Sequence, residues 1–583
     1  MLRVFKNLSK KDAAVFAAAI FLIIGQVWLD LKLPDYMSAI TTLIETPGSE
    51  MSEVLSAGGK MLACAFGSMF MAALVAVMSS FIASDFSAAT RKRIYDSVQG
   101  FSMAEMNRFS TPSLITRTTN DVTQVQMLIV MGMQAVIKAP IMAVMAILKI
   151  SDKSWQWTMS TGVAVLALLV IILLTVVLCL NKFKKIQRLT DDINRVTREN
   201  LTGLKVVRAY NTDDYEAKKF EEVNSELAGN NLFVGHTMAF MMPSIQAVMS
   251  GLSLAIYWVG AILINQAGMM ERIDLFSDMI VFSSYAMQVV MAFMLLVVIF
   301  ILYPRASVSA KRILEVTETE VSIRDGAGVH HTGQAKGEIS FNNVSFRYPD
   351  ADGDSIHDIS FSAKKGETVA IIGATGSGKT TLVNLIPRLF DTTEGEVRID
   401  GRNVRDYTQK QLHQKIAYVS QTPQLFAGSM MDNIAYGDRD EVKMEDIERA
   451  SRIAEAEEFI AGKESGYDSH VSQNGSNLSG GQRQRLSIAR AIARDAEIII
   501  FDDSFSALDY RTDRKVRDNL RRECADMTKI IVAQRIGTIR DADQILVLKD
   551  GEIAGKGTHE ELIRTCEVYK EIALSQLSKE EIA

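Results

Sequence analysis

The residues best suited to chemistry lie between 368 and 381, which read Thr-Val-Ala-Ile-Ile-Gly-Ala-Thr-Gly-Ser-Gly-Lys-Thr-Thr. The order is an apolar run of strand character, a glycine-rich loop and the start of a helix. Gly373 to Thr380 fits the pattern GxxxxGK[ST], which cradles phosphate groups. Phosphate oxygens need many N–H donors at close range, and glycines let the main chain wrap around them. Gly373, Ala374, Thr375, Gly376, Ser377 and Gly378 form that loop, and Thr381 lies just inside the helix. Lys379 would reach the β- and γ-phosphates, and Thr380 would ligate Mg2+. Far downstream, Glu497-Ile498-Ile499-Ile500-Phe501 reads as a buried strand ending in Asp502. A carboxylate at such a strand end supports Mg2+ in P-loop enzymes.

Between these segments lies Asn477-Leu478-Ser479-Gly480-Gly481-Gln482-Arg483-Gln484-Arg485. The run Leu-Ser-Gly-Gly-Gln resembles the signature motif of ATP-binding cassette proteins, which other P-loop families lack. Its glycines and Ser479 can open a helix N-terminus toward a phosphate. The resemblance implies ATP as ligand with Mg2+, and a head-to-tail pair of cassettes. In such a pair, Ser479, Gly480, Gly481 and Gln482 cap the γ-phosphate held by the other subunit. Tyr348 matches the aromatic that stacks on adenine. Gln421, in Tyr418-Val419-Ser420-Gln421, matches the glutamine that senses Mg2+, so Thr380, Gln421 and Asp502 are the metal-site candidates. Ser506-Ala507-Leu508-Asp509 matches the D-loop. With apolar spans ahead of the cassette, the chain is similar to exporters of the multidrug-resistance type.

Two positions depart from the family pattern, and both concern hydrolysis. The residue after the strand-end aspartate is usually Glu, but here it is Asp503. One methylene fewer withdraws the carboxylate by roughly 1.5 Å. Misplacement of about 1 Å can cost roughly 10²-fold in rate. The switch position usually carries His, but the chain reads Val532-Ala533-Gln534-Arg535. Gln534 can donate a hydrogen bond to phosphate and cannot become charged. Heterodimeric bacterial exporters resemble this combination, with an intact signature beside weakened hydrolytic residues. The resemblance therefore implies a second half-transporter as partner. A homodimer with two slow sites is the alternative.

The elements that must position these groups follow from the rest of the chain. At 583 residues it is too long for one compact domain. Its 48% apolar residues crowd before about residue 303, and the remainder reads as an ordinary soluble domain. Six runs are long and apolar enough to cross a bilayer, at about 13–33, 58–84, 126–150, 155–180, 237–265 and 275–303. The fold class expected is a six-helix α-helical membrane domain followed by an α/β P-loop cassette. The expected boundaries are 1–316 for the membrane domain, 317–337 for a linker and 338–583 for the cassette. Lys and Arg crowd the segments at 85–125 and 181–236, whereas 34–57 has Asp35, Glu45, Glu50 and Glu53. The basic segments therefore face the cytoplasm, along with both termini, and the lack of a targeting extension makes a plasma (inner) membrane of bacterial type the expected location. Those basic segments are helically patterned, as in Asp191-Asp192-Ile193-Asn194-Arg195-Val196, so the membrane helices should run on well beyond the bilayer. The turns at Ser110–Ser113 and Tyr210–Asp214 are the expected contact points with a soluble domain.

Other features bound the function. A net charge of -6 and pI near 5.8 give no reason to propose a nucleic acid. Cys64, Cys179, Cys524 and Cys566 form no CxxC pair and read as reduced thiols. His330 and His331 lack neighbouring ligands. Met1–Lys11 reads as a basic lead-in at the membrane surface, with no cleavage site.

The expected cargo is a hydrophobic or amphipathic compound. Lys138, beside Pro140 in the third span, is a functional suspect because ionisable groups are costly there. Asp30 and Lys32 lie near the end of the first span, and Gln134, Gln246 and Gln288 could line a cavity. The 29 methionines, among them Met241, Met242, Met287, Met291 and Met294, suit either plain packing or a surface that repacks around varied ligands. Export of a lipid or peptide, import on the same scaffold, and a regulatory or ATP-gated subunit are the rival functions.

Overall fold

Runs of Ala, Leu, Ile, Val, Phe and Met satisfy their backbone polar groups internally only as helices when no water is near. A computed structural model describes residues 10–46, 49–151, 154–268, 271–328, 336–437 and 442–576. The histidines at 330 and 331 and the lead-in before residue 10 lie outside them. Six helices among the described residues are long and apolar enough to span a membrane. They are α1 (Lys10–Glu45), α2 (Met51–Gln99), α4 (Thr111–Ser151), α5 (Trp155–Thr202), α7 (Asp213–Gln266) and α8 (Glu271–Thr317). Two short helices intervene, α3 (Met103–Arg108) and α6 (Leu204–Tyr210). At 1.5 Å per residue, the 54-residue α7 is about 81 Å long, against about 30 Å of hydrocarbon. The long extensions expected from the basic segments are present as continuous helix.

The segment 34–57 is not the loop that its acidic residues suggest. Helix α1 runs through Pro34 to Glu45, and α2 starts at Met51. A proline at 34 has no N–H for the carbonyl of residue 30. Another helix supplies the missing donor. Gln288 Nε2 on α8 reaches the Asp30 carbonyl at 3.4 Å, while the Tyr285 hydroxyl, which donates to the Asp35 carboxylate, lies beside the Leu31 carbonyl. Pro34 is tolerated because α8 repairs the ladder.

The chain divides into two compact units. The first comprises residues 1–97 and 112–318. Its core packs Ile23 and Val27 of α1, Ala146 of α4, Trp157 and Leu168 of α5, and Phe282 and Tyr285 of α8. The second comprises residues 98–111 and 319–583. Thus residues 98–111, comprising α3 and the first two residues of the Ser110–Ser113 turn, belong with the soluble fold. Thr111 already begins α4. Ser102 caps α3 in a reciprocal box with Glu105. The Glu105 carboxylate also accepts from the Ser322 amide at 3.2 Å, and Ala104 packs on the soluble core.

In the second unit, β1 (Ile339–Phe346), β2 (Ile356–Ala363), β4 (Glu394–Ile399) and β5 (Arg402–Asn403) make an antiparallel sheet in the order β2-β1-β4-β5. A larger sheet has the order β12-β11-β3-β10-β9-β6. Its strands are β3 (Thr368–Gly373), β6 (Ile416–Val419), β9 (Ile498–Asp502), β10 (Thr528–Val532), β11 (Gln544–Lys549) and β12 (Glu552–Gly557), and a separate antiparallel pair joins β7 (Gly428–Ser429) to β8 (His470–Val471). All neighbours are parallel except β12, which pairs antiparallel at the edge. Both faces are covered: Ile498 and Ile500 enter one apolar core while Ile499 and Phe501 enter the other. Double burial is why these strands read as unbroken apolar runs.

Candidate functional site

Parallel strands place their carboxyl ends side by side, and a ligand crevice forms beyond those ends. Here Val532 of β10 stands in register with Ile371 of β3 and Asp502 of β9, while Val419 of β6 faces Phe501. The next residues along the four strands are the phosphate loop, Gln421, Asp502–Asp503 and Gln534. They converge on a cavity of about 560 Å3, which Tyr348, Thr375, Gly376, Gly378, Lys379, Thr380 and Thr381 also line. Asp354, Ser355, Asp550 and Gly551 complete its wall.

The loop has the shape that a phosphate requires. Gly376 and Gly378 have φ of +85° and +93°, which side chains with a Cβ resist. A Cβ on Gly378 would also meet the Ser355 carbonyl at 2.8 Å. Gly378 precedes helix α9 (Lys379–Asn384), which has no side-chain cap. Lys379 Nζ donates to the loop's own carbonyls, Gly373 O at 2.9 Å and Ala374 O at 2.6 Å. Burial pulls its ammonium below the usual lysine range, against the opposing pull of Asp503 and Asp502. Such a desolvated cation gains from an incoming anion.

The Asp502 carboxylate is held at both oxygens. Thr380 Oγ1 donates to Oδ1 at 3.0 Å, and the Tyr418 hydroxyl reaches Oδ2 at 3.2 Å. Tyr418 also lies 3.0 Å from Asn384 Oδ1 on α9. One hydroxyl proton serves one acceptor, so with the amide turned, Asn384 donates to Tyr418 and Tyr418 to Asp502. Burial raises the Asp502 and Asp503 carboxyls above the ordinary range, despite these hydrogen bonds and Lys379. It also raises the Tyr418 phenol, which keeps its proton to donate. Asp503 Oδ2 accepts from Gln534 Nε2 at 2.8 Å and from Gln421 Nε2 at 3.5 Å. Sequence reasoning omits Tyr418 and Asn384. Tyr348 stands edge-on to Phe346 and Phe390, and its hydroxyl lies 3.0 Å from Thr381 Oγ1.

The remaining candidates lie elsewhere in the same unit. Ser479 caps helix α10 (Gly480–Ala493) in a reciprocal box with Gln482, and Gly480 has open space around it. Neither these residues nor Gly481 lines the phosphate-loop cavity. Asp509 caps the helix Tyr510–Glu523 by accepting from the Thr512 amide, which holds its carboxyl below the usual range.

The family described as ABC transporter matches residues 356–506, and the ABC transporter transmembrane region matches residues 14–293. The chain belongs to the ABC transporter family. An uncharacterised ABC transporter ATP-binding protein of Mycobacterium tuberculosis is 38% identical over 90% of this chain and 88% of its own length. One of Bacillus subtilis is 36% identical over 86% and 85%. An ATP-dependent lipid A-core flippase of Pseudomonas aeruginosa is 34% identical over 78% and 74%. The ATP-bound structure of a bacterial Atm1-family ABC exporter superposes with a TM-score of 0.80, at 22% identity, covering 97% of this chain and 99% of that one. The protein is thus an ABC half-transporter: a multi-pass membrane domain joined to a cassette that binds ATP and couples its hydrolysis to transport.

In the half-transporter's membrane unit, Lys138 pairs with Asp30 at 3.1 Å. Gln134 is half-buried and Gln246 exposed. Met241 and Met294 pack against the apolar core, while Met242 and Met291 are exposed.

Proposed function

We propose that this chain is the weakly hydrolysing subunit of a heterodimeric exporter of hydrophobic or amphipathic compounds. The observation that carries the reading is the 2.8 Å hydrogen bond from Gln534 Nε2 to Asp503 Oδ2. The two positions that depart from the family pattern satisfy each other. A carboxylate already bound to an amide, and one methylene short, is a poor activator of water. In this reading Gly373–Thr381, Tyr348, Gln421, Asp502, Asp503 and Gln534 bind ATP at this chain's own weak site. Thr380, Gln421 and Asp502 offer the hard oxygen donors that suit Mg2+, whose charge would neutralise the phosphates. Ser479, Gly480, Gly481 and Gln482, together with Asp509 at the start of the helix Tyr510–Glu523, complete the partner's site. Both termini lie in the cytoplasm, and the membrane is the bacterial plasma membrane.

ATP turnover by the purified chain, alone and with its partner half-transporter, tests this. Turnover alone should be slow, and Asp503→Glu with Gln534→His should raise it at least about tenfold. Vigorous turnover alone, abolished by Asp503→Asn, would overturn the assignment. Lipid is the second candidate cargo, favoured by the similarity to relatives named as lipid A-core flippases.

A further inference from the structure

The membrane unit contains a polar site that the ATP chemistry does not use. Asp30, in the middle of α1, is its centre. Its Oδ2 pairs with Lys138 Nζ at 3.1 Å, and its Oδ1 accepts from the Ser68 hydroxyl. Both members of the ion pair keep some exposure, 22% for Asp30 and 16% for Lys138. Lys138 ends a π-helical turn, Met133–Lys138, within α4. Such turns re-aim side chains and often mark functional positions.

Two further groups surround Asp30, and both offer an oxygen with nothing to bind. Gln288 spends its amide N–H on the Asp30 carbonyl that Pro34 has freed, which fixes which end of the amide is which. Its buried Oε1 has no hydrogen-bond partner among the described residues. Gln26 lies one turn before Asp30 on the same helix face, is 4% exposed, and also has a buried Oε1 without a partner. Buried acceptors left without a donor are costly, so native structures rarely keep them without a reason.

The surplus has one sign. A carboxylate and two amide oxygens present acceptors, and among the described residues the cation paired with the carboxylate is the tethered ammonium of Lys138. We propose that this site takes the protonated amine of an amphiphilic ligand, for which Lys138 Nζ is the built-in stand-in. An incoming ammonium displaces Lys138 from Asp30 and donates its N–H groups to Asp30, Gln26 and Gln288. The ligand's apolar body is left among the surrounding helices. The proposal rests on the exporter reading for its cargo, but the site is testable by binding alone.

The probes are a dansyl-labelled decylammonium, its N-acetylated neutral counterpart and the matching carboxylate, each titrated onto the full-length assembled dimer in lipid nanodiscs without nucleotide. Asp30→Asn should weaken the ammonium probe by about tenfold or more and leave the neutral probe within about twofold. Lys138→Met, which removes the tethered competitor, should tighten the ammonium probe several-fold. Equal effects of Asp30→Asn on both probes would reduce Asp30 to packing and overturn the proposal. So would preferential binding of the carboxylate probe that Lys138→Met abolishes, since that describes an anion site. If Asp30→Asn fails to fold, Gln26→Leu decides. A loss of about threefold confined to the ammonium probe supports the site, and an equal loss for both probes overturns it. ATP-driven uptake of the same probes into inside-out vesicles is scored separately. Its absence would sink the exporter reading while leaving the binding result to stand or fall on its own.

Discussion

Two helices of the cassette begin at glycine-rich segments, and they treat their free N–H groups in opposite ways. Before α9, Gly378 takes a left-handed conformation, no side chain caps the helix, and Lys379 rests on the loop's own carbonyls. Before α10, Ser479 accepts from the Gln482 amide while Gln482 Oε1 accepts from the Ser479 amide at 3.0 Å. The first start is open and lines a cavity. The second is self-satisfied and faces outward. An open start binds an anion without giving anything up. A capped start stays folded alone and can turn its exposed glycines to a phosphate that arrives from outside. In the proposed arrangement the first start holds the chain's own nucleotide and the second serves another chain's.

The comparison can be broken most forcefully at Lys379. Lys379→Ala should weaken ATP binding to the chain alone by about 10²-fold, measured by equilibrium titration. An unchanged affinity would mean that the open start is not the phosphate site. A subtler probe is Tyr418→Phe, which removes only the hydroxyl that reaches Asp502. The Mg2+ concentration needed for half-maximal nucleotide binding should rise about tenfold, as when outer partners of metal-binding groups are lost. ATP binding without Mg2+ should barely move. The smallest effect is expected at the capped start. Ser479→Ala should cost about 1 kcal/mol of cassette stability, seen as a lower thermal midpoint. ATP affinity of the chain alone should stay within about twofold. A large loss of that affinity would show that the two starts share one ligand within one chain.

What the sequence discloses and what it hides follow the same division between local and distant causes. The phosphate loop and the signature segment are legible because each works through its own spacing. The six apolar runs are legible because a bilayer demands length and apolarity from each helix separately. Tyr418 is not legible in this way. Its hydroxyl reaches Asp502 only because β6 lies beside β9 with Tyr418 opposite Ile500, a pairing that neither strand announces. The continuation of α1 past Pro34 is hidden for the same reason, since the donor at Gln288 is some 250 residues away along the chain. The docking piece likewise extends beyond its local signal. Ser110–Ser113 has turn chemistry, but Glu105 and Ala104 carry the contacts, and their partners lie beyond residue 319.

That last arrangement means the cassette is moored twice. Its peptide link leaves through residues 319–336, while Val98–Thr111, strung between α2 and α4, is bound into its fold without a covalent bond. Cutting the chain between residues 328 and 336 should therefore nick the molecule without freeing the cassette. The two fragments should still elute from gel filtration as one particle, because Ala104 and the segment from Arg324 to Gly328 stay with the first fragment and remain bound to the cassette, the latter through Arg388, Gln409, Tyr407 and Asp406.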